Sequence, residues 1–236
     1  MTAFFIVGFV LILLFSLWAQ WRVKSAFTQF SEVPVDSGLT GAQTAQRILD
    51  AAGINDVEIT ETQSFLGDHY DPKHRRLCLS SGVYHTPSVA AVGIAAHECG
   101  HAIQHKIGYA PLKARSAVVP LAAVADKILF FFLFLGGFVF GGFGPNGNGM
   151  FLVQIGFWCY LVIAVFQFIT LPVEFDASRR AKLILGEMGI VRQGGEAAGV
   201  NKVLDSAALT YVAAFVATLF HLIRFWLMMQ SGRSRD

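Results

Sequence analysis

His97-Glu98-Cys99-Gly100-His101 spells H-E-x-x-H inside a stretch that reads as helix. Residues four apart on a helix stand one above the other, so both imidazoles can reach one metal ion while the Glu98 carboxylate projects beside it. These are the parts of a zinc hydrolase: two neutral nitrogen ligands and an acid able to take a proton from water. The competing reading, two histidines satisfied by hydrogen bonds in a helical core, must also explain the buried acid next to them, and burying an unpaired charge is costly. Thr86 is placed to cap the helix and Pro87 suits its first turn. The small apolar run 88–96 leads straight into the motif, and nothing breaks the helix before about Gly108.

A catalytic zinc usually takes three protein ligands and a water, so one ligand must come from elsewhere in the chain. His105 continues the same face, but eight residues of helix is about 12 Å, too far for one ion with bonds near 2 Å. Glu174 is the best candidate. The segment 171–181 reads as a new helix starting where an apolar stretch ends, and Ser178, Ala177 and Ala181 would let it approach the metal helix closely. On the residues alone, Glu174 fits equally well as a first-turn acid at a helix dipole or as a partner for Arg179. Cys99 lies between the histidines yet points off their face, so a small packing residue is the preferred reading. Cys78, Cys99 and Cys159 show no paired spacing and suggest no disulfide framework.

The elements that must hold these residues are mostly apolar. The chain is 54% hydrophobic, with 22 Phe and only 14% charged residues, which places it in a membrane. Four segments approach or exceed the roughly 20 residues needed to cross the hydrocarbon layer: 4–21, 118–143, 150–172 and 209–229. The first lacks the basic start and small-residue cleavage site of a secretory signal, so a retained anchor is expected. Asp126 and Lys127 shift the start of the second inward, to Ile128. His221 and Arg224 make the fourth the weakest span, facing a protein interior or entering lipid only in part. Arg22, Lys24, Lys113, Arg115, Arg179, Arg180, Lys182, Arg192 and Lys202 flank the spans on one side, which the positive-inside tendency makes cytoplasmic. The uncharged turn 144–149 then lies outside. Arg233 and Arg235 disagree with this topology if the last segment crosses fully. A net charge of +2 is too small to imply nucleic acid.

Between the anchor and the motif lies a small polar region. Residues 40–53 read as a capped helix ended by glycine, 57–62 and 76–80 as strands, and 71–73 as a turn. The strand just before the metal helix is either an edge that holds an extended peptide or part of a hairpin that covers the helix.

Several separated stretches, together spanning nearly the whole chain, resemble the YugP-type membrane zinc peptidases. They are His97-Glu98-Cys99-Gly100-His101, Asp68-His69-Tyr70-Asp71-Pro72, Gly108-Tyr109-Ala110-Pro111-Leu112, Leu171-Pro172-Val173-Glu174-Phe175-Asp176-Ala177-Ser178-Arg179-Arg180-Ala181 and Ala207-Ala208-Leu209-Thr210-Tyr211-Val212-Ala213-Ala214. The resemblance implies a bacterial inner-membrane protein of several spans with a gluzincin-like site. His97, His101 and Glu174 would bind Zn2+ and Glu98 would be the catalytic acid and base. More distantly the arrangement is similar to the HtpX-like and CAAX prenyl proteases, which carry an aspartate four residues beyond the glutamate ligand. Here that position is Ser178, and Asp176 faces elsewhere on its helix, so the group that orients the ligand is open. Cys99 stands where a smaller residue is expected, which would make the site sensitive to oxidation.

The expected fold is mainly α: a membrane bundle of three to four helices with a small α+β cytosolic, zincin-like portion. Its divisions are 1–21, an anchor; 22–116, the region with the metal helix; 117–172, a transmembrane hairpin; 173–208, the helical segment with the third ligand; and 209–236, a membrane helix and tail. The expected activity is zinc-dependent cleavage of membrane or membrane-proximal polypeptides at the cytoplasmic face. Tyr211, His221, Arg179 and His69 are candidates to steady the oxyanion, each with a competing role as an interior or interfacial group. A membrane scaffold is the alternative, in which His69, His85 or Cys99 closes a structural zinc site. A channel role has only the glycine run 136–142 and two polar residues behind it, and close helix packing explains the glycines more simply.

Overall fold

The structure, a computed structural model, describes residues 2–64, 66–139 and 148–233. Among them the chain is mainly helical with one small sheet: α1 (Thr2–Ser31), α2 (Gly41–Ala51), β1 (Glu58–Thr62), β2 (His69–Asp71), β3 (Arg76–Ser80), α3 (Ser81–Tyr84), α4 (Val89–Lys106), α5 (Ala110–Val139), α6 (Asn148–Glu187) and α7 (Gly195–Arg233). The chain divides into two units. The first takes residues 1–17, 114–170 and 211–236, the second residues 18–113 and 171–210.

In the first unit many large apolar side chains point outward. Phe4, Leu14, Phe130, Phe131, Phe151, Trp158 and Phe168 are all exposed, a surface suited to lipid rather than water. Among the described residues, three helices are long and apolar enough to cross a membrane: Phe4–Ser31, Gly149–Glu187 and Gly195–Ser231. The weakest expected span, 209–229, is thus one of them by length and composition. α5 covers most of the expected 118–143 span, but 140–147, with part of the glycine run and most of the turn, lie outside the described residues. Glycines bring the helices together. A Cβ on Gly8 would sit 2.5 Å from the Phe220 ring, and one on Gly156 2.5 Å from the Phe225 ring.

No new helix starts at Leu171, contrary to the expectation above. α6 runs unbroken from Asn148 to Glu187 with Pro172 inside it. Proline removes one backbone donor, but in an apolar setting the alternative, opening the helix, would leave many more polar groups unsatisfied.

The second unit has its own core, in which Leu77 and Leu79 of β3, Ile48 and Leu49 of α2, and Val92, Ala95 and Cys99 of α4 meet Ala181 and Leu185 of α6 and Val200 and Leu204 of α7. α2 forms as expected: Thr40 and Gln43 make a reciprocal capping box, and Gly53 takes the left-handed conformation beyond its end. The cap of α4 is not Thr86. Ser88, itself extended, accepts from Ala91 N, while Pro87 offers its carbonyl to Val35 N. This ties the entry of the metal helix to residues 33–35, where Pro34 bridges Ser88 and Val33 O accepts from Val89 N.

The sheet has the order β1-β3-β2, with β1 parallel and β2 antiparallel to β3. The strand nearest the metal helix in sequence, β3, is therefore central and cannot take up a peptide at its edge; β1 and β2 are the edges. β2 was not foreseen. It pairs His69 with Cys78 and Tyr70 with Leu77, and is fastened by Asp68, which accepts from Ser80 N at 2.7 Å and from Ser80 Oγ at 3.0 Å. Burial pushes the Asp68 carboxyl up, against the pull of those bonds. Asp71 closes the next turn by accepting from Lys73 N and His74 N. The bonds from His74 hold its carboxyl down to about 2.

Candidate metal centre

α4 presents one stripe to α6: His97, Gly100, His101 and Gln104 face Val173, Glu174, Ala177 and Ser178. Contact is close because both sides are small. A Cβ on Gly100 would lie 2.8 Å from the Ala177 carbonyl oxygen, and Ala177 is fully buried. The stripe of small residues expected on α6 is there, and it brings Glu174 to the histidines.

His97 Nε2 lies 3.3 Å and His101 Nε2 3.6 Å from Glu174 Oε2. Among the described residues these three form the one group of His, Cys, Asp or Glu side chains able to hold a metal, their ligand atoms all within 4.8 Å of one another. Two ligands each about 2.0–2.2 Å from a tetrahedral ion stand about 3.4 Å apart, close to both histidine–glutamate separations. The donor set, two imidazoles and a carboxylate, is one that zinc favours. Charge agrees with geometry. Burial draws the His101 ring toward its neutral form, but the Glu174 carboxylate, an acceptor facing Nε2, and the charge of Glu98 outweigh it and push its pKa up. The cluster attracts positive charge, as a cation site must.

Glu98 is 7% exposed and stands beside the group without joining it. The ring nitrogens away from the cluster are both engaged. His97 Nδ1 is 3.1 Å from Ser178 Oγ, so Ser178 fills the orienting position four residues beyond Glu174. His101 Nδ1 is 3.0 Å from Gln104 Oε1. Gln104, fully buried, donates from Nε2 to Val173 O and to Asp176 Oδ2, both at 2.9 Å. Asp176, set aside above because it faces away from the ligand, therefore does take part, through Gln104. Gln104 was missed, although the helical spacing that pairs His97 with His101 places it on the same face.

None of the remaining candidates is in the ligand group. Arg179 is exposed and donates to Asp176 Oδ1 at 2.6 Å. His69 is exposed on β2 with its Nδ1 2.8 Å from Gly67 O. Tyr211 and His221 belong to the first unit, where His221 stacks on Tyr160 with ring centroids 5.1 Å apart. His85 Nε2 is 3.2 Å from Glu61 Oε2, and His105 Nδ1 is 2.8 Å from the Tyr70 hydroxyl. Cys99 lies on the far side of α4, its thiol directed at Ala45 O, so it neither closes the site nor exposes it to oxidation. Burial, and then the Glu98 charge, push that thiol well up. Alkylating reagents are thus expected to leave Cys99 unmodified in the folded protein and to modify it in denaturant, as peptide mass mapping would show.

Residues 5–230 match the sequence family described as "putative neutral zinc metallopeptidase". Over 221 residues, 94% of each chain, the sequence is 44% identical to the "putative membrane protease YugP" of Bacillus subtilis (strain 168). No solved structure matches the chain. The paired histidines and distant glutamate are thus set in a chain that belongs, over nearly its whole length, to the neutral zinc metallopeptidase family.

Proposed function

We propose that this protein is a membrane-embedded zinc endopeptidase in which His97, His101 and Glu174 hold the metal and Glu98 serves as acid and base. The observation that carries this reading is the convergence of His97 Nε2, His101 Nε2 and Glu174 Oε2 from two helices, with no fourth protein ligand among the described residues. Three protein ligands suit a catalytic zinc, whereas a structural one takes four. His69, His85 and Cys99, which the scaffold alternative needs, each have other partners.

Zinc in this place supplies Lewis-acid chemistry, polarising the scissile carbonyl and making water easier to deprotonate. Glu98 takes the proton of the attacking water onto a carboxylate oxygen and delivers it to the amine nitrogen as the C–N bond breaks. Ser178 and Gln104 keep the two imidazoles turned so that Nε2 faces the cluster.

The substrates we propose are membrane proteins and their juxtamembrane segments, cut at the cytoplasmic face of a bacterial inner membrane. Glu174 follows Thr170 by one turn of α6, about 6 Å along the axis, so the ligand sits at the end of a long apolar stretch. Arg179, Arg180 and Lys182 come directly after it, the charge pattern of a cytoplasmic flank. Purified protein in lipid is tested on casein and on a membrane-tethered reporter, before and after chelation and zinc restoration. Zinc-dependent cleavage with faster turnover of the tethered reporter is expected. Activity that survives complete zinc removal would overturn the metal assignment, and equal rates on the two substrates would overturn the membrane preference.

A further inference from the structure

We infer that Gln104 and Asp176 form a relay that fixes the tautomer of His101 and so prepares its Nε2 for the metal. The inference rests on the zinc site proposed above. Its logic is one of donors and acceptors. Gln104 Nε2 faces the carbonyl oxygen of Val173 and the Oδ2 of Asp176, both 2.9 Å away. A carbonyl oxygen can only accept, and Asp176 is already an acceptor on both oxygens. Arg179 donates to Oδ1 and Arg180 to Oδ2, each at 2.6 Å. The amide must therefore turn its NH2 group to α6 and its Oε1 to His101. An amide oxygen cannot donate, so this bond requires a proton on His101 Nδ1; in the neutral ring the lone pair then falls on Nε2, which at 3.6 Å from Glu174 Oε2 is beyond hydrogen-bond length.

His97 has no such constraint. Its Nδ1 faces the Ser178 hydroxyl, which can donate or accept, so either tautomer is satisfied there. The two ligands thus differ: His101 is fixed in advance, and His97 settles when the cation arrives. Gln104 and Asp176 are positioning residues, since neither belongs to the ligand group. Outer partners of this kind typically change metal affinity by about 10–100-fold.

The test reads the His101 ring directly. Nitrogen-15 NMR of zinc-free protein at alkaline pH, with rings neutral, reports the tautomers of His97 and His101, and chelator competition reports zinc affinity. Wild type is expected to hold His101 as the Nδ1–H form. Gln104→Met keeps the length and removes the amide; it is expected to mix the His101 tautomers and to weaken zinc binding about 10–100-fold. Asp176→Asn touches no ring, yet it removes the charge and one of the two obligate acceptors that hold the amide NH2 on α6, leaving Val173 O alone to do so. It is expected to mix the His101 tautomers with a smaller loss of affinity and no change at His97, which a purely packing role would not produce. Should Gln104→Met fail to fold, Asp176→Asn decides alone. A wild-type His101 protonated on Nε2, or variants with His101 unchanged, would overturn the relay whatever the zinc result. Failure of wild type to bind zinc with the NMR result as expected would count against the metal site and leave the relay standing.

Discussion

Replacing Glu98 with Gln is expected to lower peptide hydrolysis by about 10²–10⁴-fold while bound zinc stays at the wild-type level. The substitution keeps the size of the side chain and removes its ability to take up and return a proton. Glu98 lies outside the group of ligand atoms, so nothing that grips the metal is lost. It is 7% exposed, and its charge helps to raise the pKa of His101. Casein turnover and zinc content, measured on one preparation, check the expectation together. Unchanged hydrolysis would remove Glu98 from the chemistry, and lost zinc would make it a ligand.

The second large effect is expected at Gly100, where α4 and α6 touch backbone to backbone. A Cβ there would lie 2.8 Å from Ala177 O and 3.1 Å from Ala177 Cα. Exchange of Gly for Ala in a helix interior gains about 1 kcal/mol of propensity. Overpacking costs about 1–3 kcal/mol, and at Gly100 the obstacle is a neighbouring main chain, which no rotamer change can move aside. With the cost at the upper end of that range, Gly100→Ala is therefore expected to lower stability by about 2 kcal/mol net and Gly100→Val by more, with weaker zinc binding because the helices part beside the proposed ligands. Gly93 on the same helix is the control: its Cβ would meet Val200 at 3.5 Å, an ordinary contact, so Gly93→Ala is expected to be neutral or stabilising. Thermal denaturation and zinc titration of the three variants check this. A Gly100→Ala protein as stable and as zinc-avid as wild type would contradict the close approach.

What could be read from the sequence followed local chemistry. The capping box at Thr40 and Gln43, the glycine stop at Gly53, the strands β1 and β3 and the paired histidines each depend on neighbours a few residues away. The approach of α6 was legible too, because Ala177 and Ala181 mark a small face beside Glu174. What was hidden depended on distant partners. β2 has three residues, too few for any periodicity, and exists because β3 and the Asp68–Ser80 contact hold it. Continuation through Pro172 runs against local preference and reflects the apolar surroundings of α6. Ser88 rather than Thr86 caps α4 because residues 33–35 pair with residues 87–89 and Ser88 is extended there. Gln104 reads as an ordinary helix former until Val173 and Asp176 are brought opposite it. The three side chains that the structure gathers were each singled out in the sequence, and Gln104 beside them was not.

Zinc K-edge X-ray absorption of the purified protein, wild type beside Glu174→Ala, tests the metal site most directly. The expected spectrum shows two imidazoles with nitrogen and oxygen ligands alone, at about 2.0–2.2 Å, and loses an oxygen ligand or the metal itself in Glu174→Ala. A sulfur ligand near about 2.3 Å, a third imidazole, or a coordination sphere indifferent to Glu174 would contradict the assignment.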